Sequence, residues 1–217
     1  MDFAAPRAIS TRLVRQHESD RPLDRIDYFW IIDADEIYDS ASVRRLFGYV
    51  EDTGEPFYQV AALTYFKSWN FRVDTSEAFT AFVRSDRRLG KSRDPRPNLM
   101  TKSLARLGPS GNSLGRRFLG WHRIPSEVGV FHHGSYVGPR SRIAKKVQSS
   151  SHEDQMKPDW LTSVWDKWTP ASTNFHPVQP NAFPSARRVD LGTLPTEIRD
   201  WPWPPGYLEI DGCSHDA

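Results

Sequence analysis

Asp33 and Asp35, spaced one residue apart and followed at once by Glu36, end an apolar run, Tyr28–Ile32, within the stretch Tyr28–Asp39 (YFWIIDADEIYD). Side chains of a strand alternate between faces, so Asp33 and Asp35 are expected to share a face, with Ala34 turned the other way. Like charges that close repel unless a cation lies between them. Magnesium or manganese is commonly held by one or two carboxylates together with substrate phosphates. The pattern therefore predicts a metal–phosphate site with Asp33 and Asp35 as ligands. The plainer use of the same residues is a solvated acidic loop in which Asp39 or Ser40 caps the next helix. The apolar run predicts a strand buried on both faces, as in a parallel sheet under helices. Its carboxyl end is where open α/β sheets bind ligands.

A second group of reactive residues lies in Phe131–His152 (FHHGSYVGPRSRIAKKVQSSSH). Val128–Phe131 predicts a strand running into His132 and His133. A neutral imidazole is a good ligand for manganese or a similar ion. Adjacent strand residues face opposite ways, so only one histidine can join the site, and spacing does not choose between them. Pro139–Ser150 predicts a helix with Pro139 in its first turn and Ile143 and Val147 inward. Arg140, Arg142, Lys145 and Lys146 occupy its other faces. Lys146 and Arg142 suit diphosphate oxygens; a solvated basic helix face is the plainer use of both.

The elements that must position these groups follow from periodicity. Ser40–Val50 reads as a helix, because Val43, Leu46, Phe47 and Val50 recur at i, i+3, i+4 and i+7, and Thr53-Gly54 ends it. Phe57–Phe66 is rich in strand formers, and Phe79–Val83 is a shorter strand. Residues 7–18 suit a helix and His17–Arg25 a loop. Arg84–Arg96, with six basic residues and one proline, Pro95, reads as a loop that is either simply solvated or a mobile flap attracting phosphate. Lys102–Leu107 suits a strand and Gly108–Gly115 a loop. Trp160, Val164, Trp165 and Trp168 have helical spacing and read as core before sugar platform. After Asn174 the chain is punctuated by proline and reads as extended.

Asp33-Ala34-Asp35-Glu36 after an aromatic-rich strand resembles the DxD motif of glycosyltransferases with the GT-A fold, and the form DADE is similar to family 2 enzymes and to the β-1,4-mannosyl-glycoprotein N-acetylglucosaminyltransferases. His133-Gly134-Ser135, then Lys146, then Ser150-Ser151-His152 resemble the His-x-Ser, lysine and Ser-x-His pattern of the same relatives. Trp160–Trp168 and Asn174-Phe175-His176-Pro177 resemble their Trp-rich and NLHP segments. The resemblance spans about residues 25–185. It implies an α/β fold, a partial GT-A (Rossmann-like) mixed sheet flanked by helices. Residues 1–185 would form a glycosyltransferase-like domain shortened at its N-terminal, nucleotide-binding side, and residues 186–217 a Pro- and Trp-rich C-terminal extension. It also implies Asp33, Asp35 and His133 as metal ligands for Mn2+ or Mg2+, and it favours His133 over His132. Lys146, Arg142 and Trp69 are the substrate-binding candidates. The partners implied are a nucleotide-sugar donor and a glycan or other hydroxyl acceptor. For an inverting reaction the acceptor proton needs a carboxylate; Asp74, Glu77 and Glu36 are candidates, and the sequence singles out none.

Composition bounds the rest. The chain has 217 residues, room for a real core, and a net charge of +2 that makes no demand for nucleic acid. The single cysteine, Cys213, excludes an internal disulfide and fits a reducing, cytoplasmic setting. No apolar run reaches the length of a membrane span, and the first residues lack a signal-peptide core. Two other readings stay open: a sugar- or partner-binding remnant without donor chemistry, and a haloacid-dehalogenase-type phosphatase with its first Asp as nucleophile.

Overall fold

A computed structural model describes residues 27–75, 77–87, 121–149 and 155–208. The expected helix at 7–18 and the loop after it, most of the basic loop 84–96, the strand at 102–107, the loop at 108–115, residues 150–152 and Cys213 lie outside the described residues. The fold is mixed α/β, with an open, largely antiparallel sheet and few helices. None of the described helices is long and apolar enough to cross a membrane.

The chain divides into two compact units. The first takes in described residues 27–33, 43–61, 78–87 and 121–129, and the second 34–42, 62–75, 77, 130–149 and 155–208. In the first unit, β1 (Tyr28–Trp30) pairs antiparallel with β4 (Ala78–Arg84), Trp30 opposite Phe82. β4 pairs antiparallel with the start of β3 (Phe57–Val73), and β5 (Trp121–Arg123) runs parallel to β3. Helix α1 (Ser40–Thr53) begins where Asp39 Oδ1 accepts from the Ser42 amide at 2.8 Å, so Asp39 is the cap. It ends at Gly54, whose φ of 64° suits a residue without a Cβ. Its Leu46 and Val50 are buried with Tyr58, Val60, Phe82 and Ile124.

β1 corrects the expectation of a strand buried on both faces in a parallel sheet. It is half-buried, ends at Trp30, and stands at the end of the strand order, paired with β4. Tyr28 and Trp30 share a packing face: Tyr28 meets Tyr58 at 6.0 Å, and Trp30 stacks on Phe82 at 5.9 Å and meets Phe47 edge-on at 5.3 Å. Ile32 is 47% exposed. Residues 31–33 are not strand, so the alternation that was to align Asp33 with Asp35 does not apply.

In the second unit the remainder of β3 neighbours β6 (Val130–Val137), and β6 pairs antiparallel with β2 (Glu36–Ile37), Glu36 opposite His133. β3 runs well past Phe66, through Trp69-Asn70-Phe71 to Val73. It accommodates Lys67 at a φ of 68°, with that residue's ammonium 4.3 Å from the Trp165 ring centre. β7 (Ala186–Arg188) pairs antiparallel with the end of β3, so residues 186–208 are not a separate extension: Ala186, Leu194 and Ile198 are buried. Helix α2 (Arg140–Gln148) starts after Pro139 and buries Ile143; α3 (Thr196–Arg199) is a single turn. Glu197 of α3 accepts from both the amide and the hydroxyl of Ser40, at 2.9 and 2.7 Å.

Two apolar clusters hold this unit. One gathers Phe66, Phe71, Tyr136, Trp160, Trp165, Trp168, Phe175 and Phe183, so the tryptophans of 160–168 are core; Trp160 precedes and Trp165 ends a π-helical turn, Leu161–Trp165. The other joins Tyr65, Trp69, Val137, Leu194 and Ile198. Gly134 on β6 is required there: a Cβ would come within 2.6 Å of the Trp69 ring.

A candidate anion and metal site on β6

Three segments distant in sequence meet in the second unit. Asp35 precedes β2, and its carbonyl accepts from the Gly134 amide at 2.8 Å, which ties it to β6 beside His133. His133 Nε2 lies 3.9 Å from Asp35 Oδ1. Lys146, on α2, donates to the other carboxylate oxygen, Oδ2, at 2.8 Å. The sequence 140–148 supports this placement: burial of Ile143 turns the helix so that Arg142 and Lys146, four residues apart, share a face.

Burial pushes the Asp35 carboxyl up, but the Lys146 ammonium, its hydrogen bond and His133 outweigh that and hold it below the ordinary range. Asp35 is therefore a fixed anion, with one oxygen committed to a cation and the other turned toward an imidazole. Lys146 also sits 5.8 Å from the Tyr136 ring centre. Behind His133, the Thr64 hydroxyl donates to Glu77 Oε2 at 3.0 Å and lies 3.5 Å from His133 Nδ1. Burial pushes the Glu77 carboxyl up, and the Thr64 hydrogen bond offsets part of that. Of the three carboxylates considered for proton transfer, Glu77 shares the Thr64 hydroxyl with His133. Asp74 instead accepts from Ser185 at 2.8 Å and pairs with Arg187 at 3.5 Å, and Glu36 is buried in β2.

The other expected site residues take different places. Asp33 is exposed and belongs to the first unit. Arg142 donates to the carbonyls of Ser135 and Val137 at 3.2 and 2.7 Å, so its guanidinium ties α2 to the end of β6. Trp69 is 2% exposed, packed against Tyr65 and Trp203, with no face turned to a substrate. Thr64 had no signal in the sequence; a threonine inside a run of strand formers reads as a strand former.

His132, on the opposite face of β6, receives 2.8 Å contact at Nδ1 from the Tyr65 hydroxyl and is buried. Burial pushes its imidazole down to about 4, against the pull of Asp39 and Glu197. A histidine buried neutral favours folding in full above its unfolded value near 6.5, and that stability is lost as pH falls toward about 4. The loss amounts to about 3 kcal/mol. Thermal unfolding followed from pH 7.5 to 4 should show a fall in Tm that His132→Gln lacks; equal slopes in the two proteins contradict the assignment.

Comparison with protein-family models, with curated proteins and with solved structures finds no match to this chain.

Proposed function

We propose that the chain is a glycosyltransferase that uses a nucleotide-sugar donor and a divalent cation, with Asp35, His133 and Lys146 as the donor-diphosphate site. The observation that carries the reading is the division of the Asp35 carboxylate: Oδ2 on Lys146 at 2.8 Å, Oδ1 facing His133 Nε2 at 3.9 Å. The donor set fits Mn2+ or Mg2+. One carboxylate oxygen and one imidazole nitrogen at that separation can both bond an ion at ordinary lengths of about 2.0–2.3 Å. Among the described residues no group of three or more His, Cys, Asp or Glu could form an all-protein cage. Two protein donors leave the remaining positions to diphosphate oxygens and water, the usual arrangement when such an ion is bound with a phosphate substrate. The bound ion would supply Lewis-acid stabilisation of the leaving diphosphate.

Lys146 contributes a second positive charge beside the same oxygens, already oriented by Asp35, so little reorganisation is needed as negative charge develops. Asp35, and not Asp33, is the carboxylate on which this reading rests. A GT-A-like arrangement of the sheet belongs to the proposal and not to the observed fold.

The test is release of nucleoside diphosphate from a panel of uridine, guanosine, thymidine and cytidine nucleotide-sugars, with manganese or magnesium and with or without glycan acceptors. Metal-dependent release from at least one donor, stopped by a chelator, is expected. Neither binding nor release with any donor contradicts the proposal. A second reading, glycan binding without transfer, draws on Trp201, 60% exposed and 6.2 Å from the Trp203 ring. Calorimetry with glycans alone, showing heat where nucleotide-sugars show none, would favour it.

A further inference from the structure

Thr64 is fully buried on β3, and its hydroxyl stands between Glu77 and His133. Glu77 is fixed there by its own backbone, whose carbonyl accepts from the Ala62 amide at 3.0 Å. A hydroxyl has a single proton to give, and an ionised carboxylate only accepts. Thr64 therefore donates to Glu77 Oε2 at 3.0 Å, and its oxygen can meet His133 Nδ1, 3.5 Å away, only as an acceptor. That requires the proton of the neutral imidazole to be on Nδ1, which leaves Nε2 unprotonated. Nε2 is the nitrogen that faces Asp35 Oδ1.

We propose that Glu77, acting through the Thr64 hydroxyl, is a positioning residue that selects the Nδ1–H tautomer of His133 and so presents the Nε2 lone pair on the Asp35 side of the site. The reverse polarity would place a proton on Nε2, where it would be donated toward Asp35 and would block a cation from that nitrogen. Outer partners of ligating histidines set the tautomer and the ring orientation in the same way in metal sites generally. The functional meaning of the tautomer rests on the metal role proposed for His133; the tautomer itself does not.

The experiment is imidazole nitrogen NMR of the full chain at pH 8, without metal, assigning the His133 ring by its loss in His133→Gln. The wild type should show a protonated Nδ1 and an unprotonated Nε2. Thr64→Val, nearly the same shape without the hydroxyl, should populate the Nε2–H form, and Thr64→Ser should restore the wild-type pattern. Glu77→Gln, which no longer obliges Thr64 to donate, should populate both tautomers, and it gives the reading if Thr64→Val does not fold. An Nε2–H wild type, or folded variants with an unchanged pattern, overturns the proposal.

Manganese titration separates this from the functional reading. A loss of roughly 10–100-fold in manganese affinity is expected for Thr64→Val and recovery for Thr64→Ser. A wild type with the expected tautomer but no manganese binding would leave the positioning role standing and overturn the metal role alone.

Discussion

Asp35→Asn should weaken manganese-dependent binding of a nucleoside diphosphate by roughly 100-fold or more while leaving the protein folded. The substitution keeps the shape of the side chain and the backbone bond from the Gly134 amide to the Asp35 carbonyl, 2.8 Å, which secures the loop to β6. It removes the one carboxylate that the site places between Lys146 and His133. Lys146 then loses its counter-charge and faces any cation unscreened. The ion pair is partly solvated, with side-chain exposures of 33% for Lys146 and 17% for Asp35, so its loss should cost folding no more than about 1 kcal/mol. Calorimetry with nucleoside diphosphate in manganese, beside a urea unfolding curve, reads both quantities. Unchanged nucleotide affinity in a folded Asp35→Asn protein contradicts the site.

Phe66→Ala should have the largest effect on stability, about 3–5 kcal/mol. Phe66 is fully buried, and its ring meets those of Tyr136, Trp160, Trp165, Trp168, Phe175 and Phe183, with centroid separations from 4.6 to 6.3 Å. Stiff rings from several segments cannot collapse into the space a phenyl leaves, so the cavity term adds to the transfer term. The urea midpoint should fall with little change in slope. A loss below about 1 kcal/mol contradicts the packing described here. Because Tyr136 joins this cluster from the strand that carries His133, the variant should also lower nucleotide affinity; Phe66→Leu should recover most of both.

Local pattern carried much of this architecture. The i, i+3, i+4, i+7 apolar residues of α1, the proline that opens α2, and the strand formers of β3 and β4 each report a local preference; α1, α2 and β4 formed close to their expected bounds, and β3 began where expected but ran on to Val73. Asp35, His133 and Lys146 were nameable because a carboxylate, an imidazole and a basic helix face suit one ligand chemistry. Their meeting depends on the pairing of β2 with β6, which no local pattern encodes.

The aromatic run at Tyr28–Ile32 misled because composition cannot distinguish two-sided burial from a half-buried strand at the end of the described strand order. The strand expected to stop at Phe66 continues because Lys67, which interrupts its apolar pattern, takes a positive φ and the strand resumes. Arg142 carries the same charge as Lys146, and only the ends of β6 decide that its guanidinium is consumed by two carbonyls. The Thr64–Glu77 link joins β3 to the residue before β4, a contact of tertiary origin.

In the proposed site, Asp35 and His133 hold one cation beside Lys146. Electron spin echo modulation of Mn2+ bound to the full chain with a nucleoside diphosphate tests it most directly. Coupling to one imidazole nitrogen and to phosphate phosphorus is expected, with the nitrogen modulation lost in His133→Gln and retained in His132→Gln. Manganese that binds with phosphorus coupling but no imidazole nitrogen, or nitrogen modulation that survives His133→Gln, would contradict it.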